Sequence, residues 1–463
     1  MICNSHNQTV SNSNSTSVIT IDLRAPARRA LVILPALLAI LSAWFVVRWY
    51  VGDTVAEYAA DNPASATEMA RLATRWAPRD PFAHWTLGAL KAKEFSANNL
   101  AEAVHEYEIA VTLSPNDYRY WMELGSGLEA AGDSAGGERA LGRAVELAPA
   151  YSFPRWYFGN LLLREGKVDE AFRQLARAGE IDPQIQQQVF NLAGQVFGDD
   201  VEAIAQATCP SAAMRVRFAI YLAGRQKFAE AVRVWSATKN RNNEGELAAE
   251  LKKQLIDAKQ FHDALVVMRE FEPDSGKLPV PEQFINGGFE SGTTFTSSDS
   301  FGWSIVSGPT AQMIVDAQAH SGHASLRIVF RAPTKLNVIH VWQVIVVEPD
   351  AQYHFECWAR TGDLSTGSPP LITILSATDN ATLASSPPLP TGTNDWQRIA
   401  LDFKTKPKSD GVIMKLARQP CDDASVCPIF GTVWYDDFNL QRSSGSAGSR
   451  RTTASGKREG NRN

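Results

Sequence analysis

The stretch "NLLLREGKVDEAFRQLARAGEIDP", Asn160–Pro183, decides the fold because its landmarks recur upstream at one spacing. Its closing proline continues a series, Pro81, Pro115, Pro149 and Pro183, in which each step is 34 residues. Gly88, Gly125 and Gly159 mark an earlier point in each period. Ala110, Ala144 and Ala178 each stand five residues before the proline that follows them. A fixed period of this length means repeated supersecondary units, each relying on its neighbours to bury its apolar face.

These positions resemble the tetratricopeptide repeat, in which small residues let two antiparallel helices approach and a proline ends the second. Trp121, Leu124, Gly125, Leu128, Leu141, Ala144 and Pro149 carry the resemblance best. Weaker copies follow in "YLAGRQKFAEAVRVW" and "LIDAKQFHDALVVMRE", with Ala231 and Ala264 at the small position. The resemblance implies a solenoid over 51–275 with a groove suited to a protein or peptide partner. A plain spacer is the bland alternative. Trp85, Trp121 and Trp156 track the packing period and read as interhelical core.

At 463 residues the chain is too long for one core. A formal charge of −5 argues against a general nucleic-acid binder. Upstream of the repeats, "ALVILPALLAILSAWFVV", Ala30–Val47, has 18 residues without a charge, which as a helix spans roughly 27 Å. Trp44, Trp49 and Tyr50 suit an interfacial belt, and Arg48 can snorkel to headgroups. Arg24, Arg28 and Arg29 precede the run, and Asp53, Glu57 and Asp61 follow it, which favours a cytoplasmic N-terminus. Residues 30–50 therefore read as an uncleaved signal anchor in an inner membrane, with a cleaved signal peptide as the competing reading. Everything beyond 51 would be periplasmic or otherwise extracytoplasmic. Residues 1–29 and the basic stretch 443–463 read as solvated tails.

Past a proline-marked linker, 276–283, helical periodicity gives way to short alternating runs, "QYHFECWAR", "LITILSA", "WQRIALDF", "GVIMKLAR" and "TVWYDDFNL" among them. Such runs fit a two-sheet sandwich or jelly roll. The order of "NGGFESG", "AHSGHASLRI", "WQVIVVEPDAQYHFECWAR", "DWQRIALDF" and "VWYDDFNL" over 284–442 resembles the carbohydrate-binding modules of the galactose-binding-like jelly-roll superfamily. That resemblance implies first and last strands lying close together and a structural calcium there, with Glu290 and Asp436 as ligands and Asp437 as a substitute. Two carboxylates alone are too few for calcium, so carbonyls and water would have to complete the shell. Solvated carboxylates are the bland alternative.

In "YHFECWAR" strand alternation puts Tyr353, Phe355, Cys357 and Ala359 on the core face and His354, Glu356, Trp358 and Arg360 on the other. Polar groups around an aromatic suit a polysaccharide, whose apolar faces stack on rings. Trp342, with His340, is a further candidate from the preceding strand. Trp303, Trp396 and Trp434 are expected in the core. His354 and Arg360 are otherwise expected to be solvated or paired with Glu356.

Among five cysteines, Cys421 and Cys427 flank "DDASV" closely enough for a disulfide in an oxidising compartment; two free thiols are the alternative. No acidic pair across a cleft and no GxSxG elbow can be placed, so catalysis is not expected. The whole reads as an envelope scaffold with one transmembrane helix, an all-α tetratricopeptide solenoid and an all-β jelly-roll sandwich. It would bind polysaccharide at its tip, in exopolysaccharide assembly. A protein-interaction scaffold whose jelly roll binds no glycan is the alternative.

Overall fold

The computed structural model describes residues 26–59, 65–94, 96–240, 244–271, 278–291, 301–331, 333–334, 339–419 and 427–443. Most of both expected tails, and Cys421, lie outside them. The chain is helical as far as residue 271 and all β thereafter, with fourteen helices and eleven strands among the described residues. It divides into two compact units, 1–189 and 190–463.

The first unit opens with α1 (Pro26–Ala59), which starts inside the expected tail and runs well past the end of the apolar segment. From Ile33 to Ala59 it is long and apolar enough to cross a membrane, by length and composition. Leu34, Leu37, Leu38, Leu41 and Phe45 are exposed along it. Its last two turns differ. Ala56 packs with Ala73 and Ala83, and Ala59 with Ala70 and Leu87, against α2 (Ala66–Trp76) and α3 (Pro81–Ala92). Arg48 Nε and Nη2 donate to the carbonyls of Trp76 and Arg75 at 2.7 and 2.8 Å, satisfying open acceptors at the end of α2.

Helix pairs follow at the expected period: α3 with α4 (Ala97–Leu113), α5 (Tyr118–Ala130) with α6 (Ser134–Leu147), and α7 (Ser152–Arg164) with α8 (Val168–Ile181). Side chains of Ser96, Asp117 and Asp133 accept backbone N–H groups at the starts of α4, α5 and α6. Pro115 and Pro149 lie in the turns after α4 and α6, whereas Pro81 and Pro183 occupy the first positions of α3 and α9 (Pro183–Phe197), where a missing N–H costs nothing. Ala110, Ala144 and Ala178 are fully buried. A Cβ on Gly125 would stand 2.6 Å from Leu141 Cγ, and one on Gly159 2.6 Å from Leu175 Cγ, so the paired helices touch through those glycines. Trp85 and Trp121 pack partly buried against the core of the α3–α5 helices.

The second unit contains the rest of α9, α10 (Val201–Thr208), α11 (Ala212–Gly224), α12 (Phe228–Ala237), α13 (Gly245–Asp257) and α14 (Phe261–Phe271). Ala231 and Ala264 are fully buried, as the weaker repeat copies require. These helices share the unit with the sandwich. Phe261 meets Phe301 edge-on at 6.0 Å and leaves no room for a side chain at residue 411.

His262 reinforces this junction: its backbone N–H donates to Asp410 Oδ2 at 3.0 Å, and its ring faces Asp410 and Glu348 at 3.3 and 3.5 Å. The hydrogen bond to Asp410 holds the imidazole pKa above its ordinary value against burial, with the charges of Asp410, Glu348 and Asp263 adding. Because the folded value is raised, this contribution is complete below the unfolded pKa and is lost as pH rises through the raised one. We expect the His262 titration midpoint, followed by NMR, to lie above about 6.5 and to fall toward it in Asp410→Asn. An unshifted midpoint in the native chain would show that the contact does not favour the imidazolium.

The strands are β1 (Ser304–Ile305), β2 (Ala311–Asp316), β3 (Ser325–Phe330), β4 (Pro333–Thr334), β5 (Val341–Val346), β6 (Gln352–Thr366), β7 (Pro370–Ser376), β8 (Thr382–Ser385), β9 (Gly392–Lys404), β10 (Gly411–Arg418) and β11 (Cys427–Arg442). They form two antiparallel sheets, ordered β1-β5-β10-β7-β8 and β2-β3-β11-β6-β9, with β4 paired to β11. Between them lies one core that includes Phe289, Trp303, Phe355, Met414, Tyr435 and Phe438. "NGGFESG" enters this core rather than forming a strand. Phe289 is fully buried, and the Gly287 carbonyl accepts the Phe438 N–H at 3.1 Å, so this segment lies against β11, whereas the first strand, β1, pairs with β5 in the other sheet. The segment expected to be a linker is engaged as well, since Glu282 accepts from Tyr353 Oη at 2.6 Å and donates its N–H to the Val346 carbonyl at 2.8 Å.

Candidate functional site

Alternation along β6 is as the sequence implies. Tyr353, Phe355, Cys357 and Ala359 are buried, while His354, Glu356, Trp358 and Arg360 stand half-buried on the outer face of the six-stranded sheet. The neighbours of that face are set by β9 and β11, which flank β6. Trp358 lies opposite Arg398 on one side and Asp436 on the other. Glu356 is paired not with Arg360 or His354 but with Arg398, whose Nε donates at 2.9 Å; Asn439 Nδ2 donates to its other oxygen at 3.3 Å. Those two bonds, that of Arg398 first, hold the Glu356 carboxyl below the usual range. His354 Nδ1 meets Asp402 at 2.8 Å. The polar half of the face is thus an interlocked network whose members are already oriented.

Trp358 is covered on one side by His320, a residue that no pattern in the sequence singles out. The His320 ring stacks on the indole at 3.9 Å and 13°, and Trp396 meets His320 edge-on at 5.8 Å. Asp436 holds the loop that carries His320. Its Oδ2 accepts the N–H groups of His320 and Ser321 at 2.7 and 3.2 Å, and its Oδ1 accepts that of Asp437 at 2.7 Å. Asp437 accepts hydrogen bonds from His320 Nδ1 at 2.6 Å and from the Ser321 hydroxyl at 2.7 Å. Burial pushes the Asp436 carboxyl up, against those backbone bonds.

Three expectations are corrected here. Trp396 and Trp434 are not core residues; both stand half-buried on this outer face, and only Trp303 is in the core. Trp342 is not beside Trp358, because β5 belongs to the other sheet, where Trp342 is exposed opposite Ser304 and Lys415. Pairing between distant segments decides these placements, and no local pattern carries it.

Glu290, Asp436 and Asp437 are gathered at one corner. Glu290 Oε1 accepts the N–H groups of His323 and Ala324 at 2.7 and 3.2 Å. A Cβ built on Gly288 would find Asp437 Oδ1, Glu290 Cγ and Asp436 Oδ1 within 3.7–3.8 Å, so one small space borders all three acids. Several of their oxygens are engaged by loop donors, and among the described residues no three His, Cys, Asp or Glu side chains form a ready-made metal cluster. A calcium ion would therefore depend on carbonyl oxygens and water as well.

Cys427 is buried and disulfide-bonded; Cys421, its expected partner, lies outside the described residues. Cys209 and Cys357 are free and buried, and burial raises the thiol pKa of each. Among the helices of the second unit, a pocket of about 760 Å³ lies between α9 and α11, lined by Phe190, Asn191, Phe218, Tyr221, Arg225 and Lys227 among others. The Phe190 and Phe218 rings are 5.0 Å apart, and Arg225 lies over Tyr221.

No family model matches the chain, and no curated protein matches it. Among solved structures, MamA from Desulfovibrio magneticus RS-1 aligns at 17% identity over 35% of this chain and 90% of its own, with a TM-score of 0.30. TmCBM61, solved with β-1,4-galactotriose, aligns at 16% identity over 35% and 100%, with a TM-score of 0.26. The CBM22-1 xylan-binding domain of Paenibacillus barcinonensis Xyn10C aligns at 16% identity over 34% and 91%, with a TM-score of 0.24. Likeness this distant carries no argument about what the chain binds.

Proposed function

We propose that the protein is a membrane-anchored envelope scaffold that binds polysaccharide on the outer face of its six-stranded sheet and docks a protein or peptide along its helices. The observation that carries the glycan reading is Trp358, half-buried on a strand face whose polar side chains are held in place by Arg398, Asp402 and Asn439. With His320 on one side of the indole, a sugar would meet its remaining surface and Trp396 beside it. Polar groups that are already oriented lose little entropy on binding hydroxyls. The role in this proposal is binding, for which the Glu356 carboxylate is already engaged and oriented by Arg398. α1 would be the inner-membrane anchor, with the N-terminus cytoplasmic and the bulk periplasmic, where a Cys421–Cys427 disulfide would persist. Service in exopolysaccharide assembly belongs to the same proposal, as does a structural calcium at Glu290, Asp436 and Asp437.

The test is binding of the full chain, in detergent micelles, to a panel of envelope and plant polysaccharides, beside Trp358→Ala. We expect selective binding that weakens about tenfold or more in the variant, in keeping with loss of one aromatic platform. Unchanged affinity in a folded Trp358→Ala protein would remove Trp358 from the site. The absence of any glycan binding would favour the protein-scaffold alternative, for which the aromatic pocket between α9 and α11 is the specific support.

A further inference from the structure

A second group on the same face is separate from the Trp358 network. Four residues lie directly opposite one another across β2, β3, β11 and β6: Ile314, Arg327, Trp434 and Arg360. The Trp434 ring extends over Gly362, where a Cβ would come within 3.1 Å of it, so the glycine gives the indole room to lie along the sheet. Both arginines approach the ring, Arg327 Cζ at 5.5 Å and Arg360 Cζ at 5.7 Å from its centroid. Asp316 answers one of them. It pairs with Arg327 Nη1 at 3.2 Å and accepts the indole N–H at 3.0 Å.

Arg360 is left uncompensated: among the described residues it makes no ion pair, and its contact with Trp434 engages the ring rather than its N–H donors. Arg327 Nε is buried and has no acceptor there. An indole flanked by two guanidinium groups, only one of them answered by an acid, matches a sugar ring that bears a planar anion. A guanidinium binds a carboxylate through two parallel hydrogen bonds.

Resting on the polysaccharide reading above, we propose that the Arg327–Trp434–Arg360 row is a subsite for a carboxylate-bearing sugar, which makes the favoured ligand a uronic-acid polysaccharide. Arg360 supplies the charge, Trp434 the platform and Arg327 the second donor.

The test compares the full chain's affinity for polygalacturonate with that for the same polymer after reduction of its carboxyl groups, at low ionic strength. We expect the acidic polymer to bind about tenfold tighter, the size of one charge-assisted contact. Arg360→Gln should bring the two polymers to within about twofold of each other, chiefly through weaker binding of the acidic one. Equal affinities in the native chain, or a preference that survives Arg360→Gln, would overturn the subsite. Equally tight binding of poly-glutamate or dextran sulfate would overturn it too, by showing attraction to any polyanion. If the reduced polymer binds and Trp358→Ala abolishes that binding, a missing preference sinks this assignment alone. If neither polymer binds, both readings fall.

Discussion

Replacing Asp436 by alanine is expected to lower the stability of the sandwich by about 3 kcal/mol, because three backbone donors lose the buried carboxylate that accepts them. Asp436 is fully buried, and the N–H groups of His320, Ser321 and Asp437 all end on it. In a domain of this size the loss corresponds to a fall in melting temperature of roughly 10 °C. Asp436→Asn retains one carbonyl acceptor and should lose clearly less. The consequence for the outer face of the six-stranded sheet is as large, since the same carboxylate fixes the loop that lays His320 on Trp358. Amide exchange at His320 and Ser321 should therefore rise in Asp436→Ala before the sheet itself opens. Calcium should raise the melting temperature of the native chain and have no effect on the variant. A native-like melting temperature for Asp436→Ala would show that the loop does not depend on this carboxylate, and an inert calcium titration of the native chain would remove the metal.

The second large effect is expected at a glycine. Gly159→Val would place a branched side chain 2.6 Å from Leu175 Cγ and 3.1 Å from the Ala171 carbonyl oxygen, both belonging to the partner helix α8. Leu175 is fully buried and has no free direction to move. Overpacking of this kind costs about 1–3 kcal/mol, from which only a few tenths are recovered by replacing a helical glycine. A net loss of about 2 kcal/mol in the helical unit follows, read by the helical signal on heating. Gly142 supplies the opposite control. It lies in α6, where an added methyl would meet only Phe158 Cζ, at 4.0 Å, so Gly142→Ala should stabilise by about 0.5–1 kcal/mol. If Gly159→Val left stability unchanged or raised it, the close pairing of α7 with α8 would be wrong.

The two positions show what was legible in sequence. Gly125 and Gly159 stand out because helix pairing within a repeat is local, so the contact that demands a small residue recurs with the chain's own period. The buried and open faces of β6 were equally readable, since alternation belongs to one strand alone. The candidate site was not. Arg398 reaches Glu356 only because β9 pairs with β6, and Arg327 reaches Trp434 only because β3 pairs with β11. In "TVWYDDFNL" Trp434 was expected in the core, but the sheet took the adjacent Tyr435 inward and left Trp434 out, beside a bulge at Asp436–Asn439 that shifts the register. Trp342 is near Trp358 in sequence, yet β5 pairs with β1 and β10 in the opposite sheet.

Helix α1 is both the apolar segment and, through Ala56 and Ala59, part of the first helical packing layer, with Arg48 tied to the end of α2. An anchor of that design works as a keyed shaft rather than a tether. Turning or tilting it in the bilayer would carry α2 and α3 along, because no joint intervenes between the part that would meet lipid and the part that packs against protein. Four glycines inserted after Tyr50 would add the missing swivel, leaving the helix pairs beyond α3 folded but free to take any attitude to the membrane.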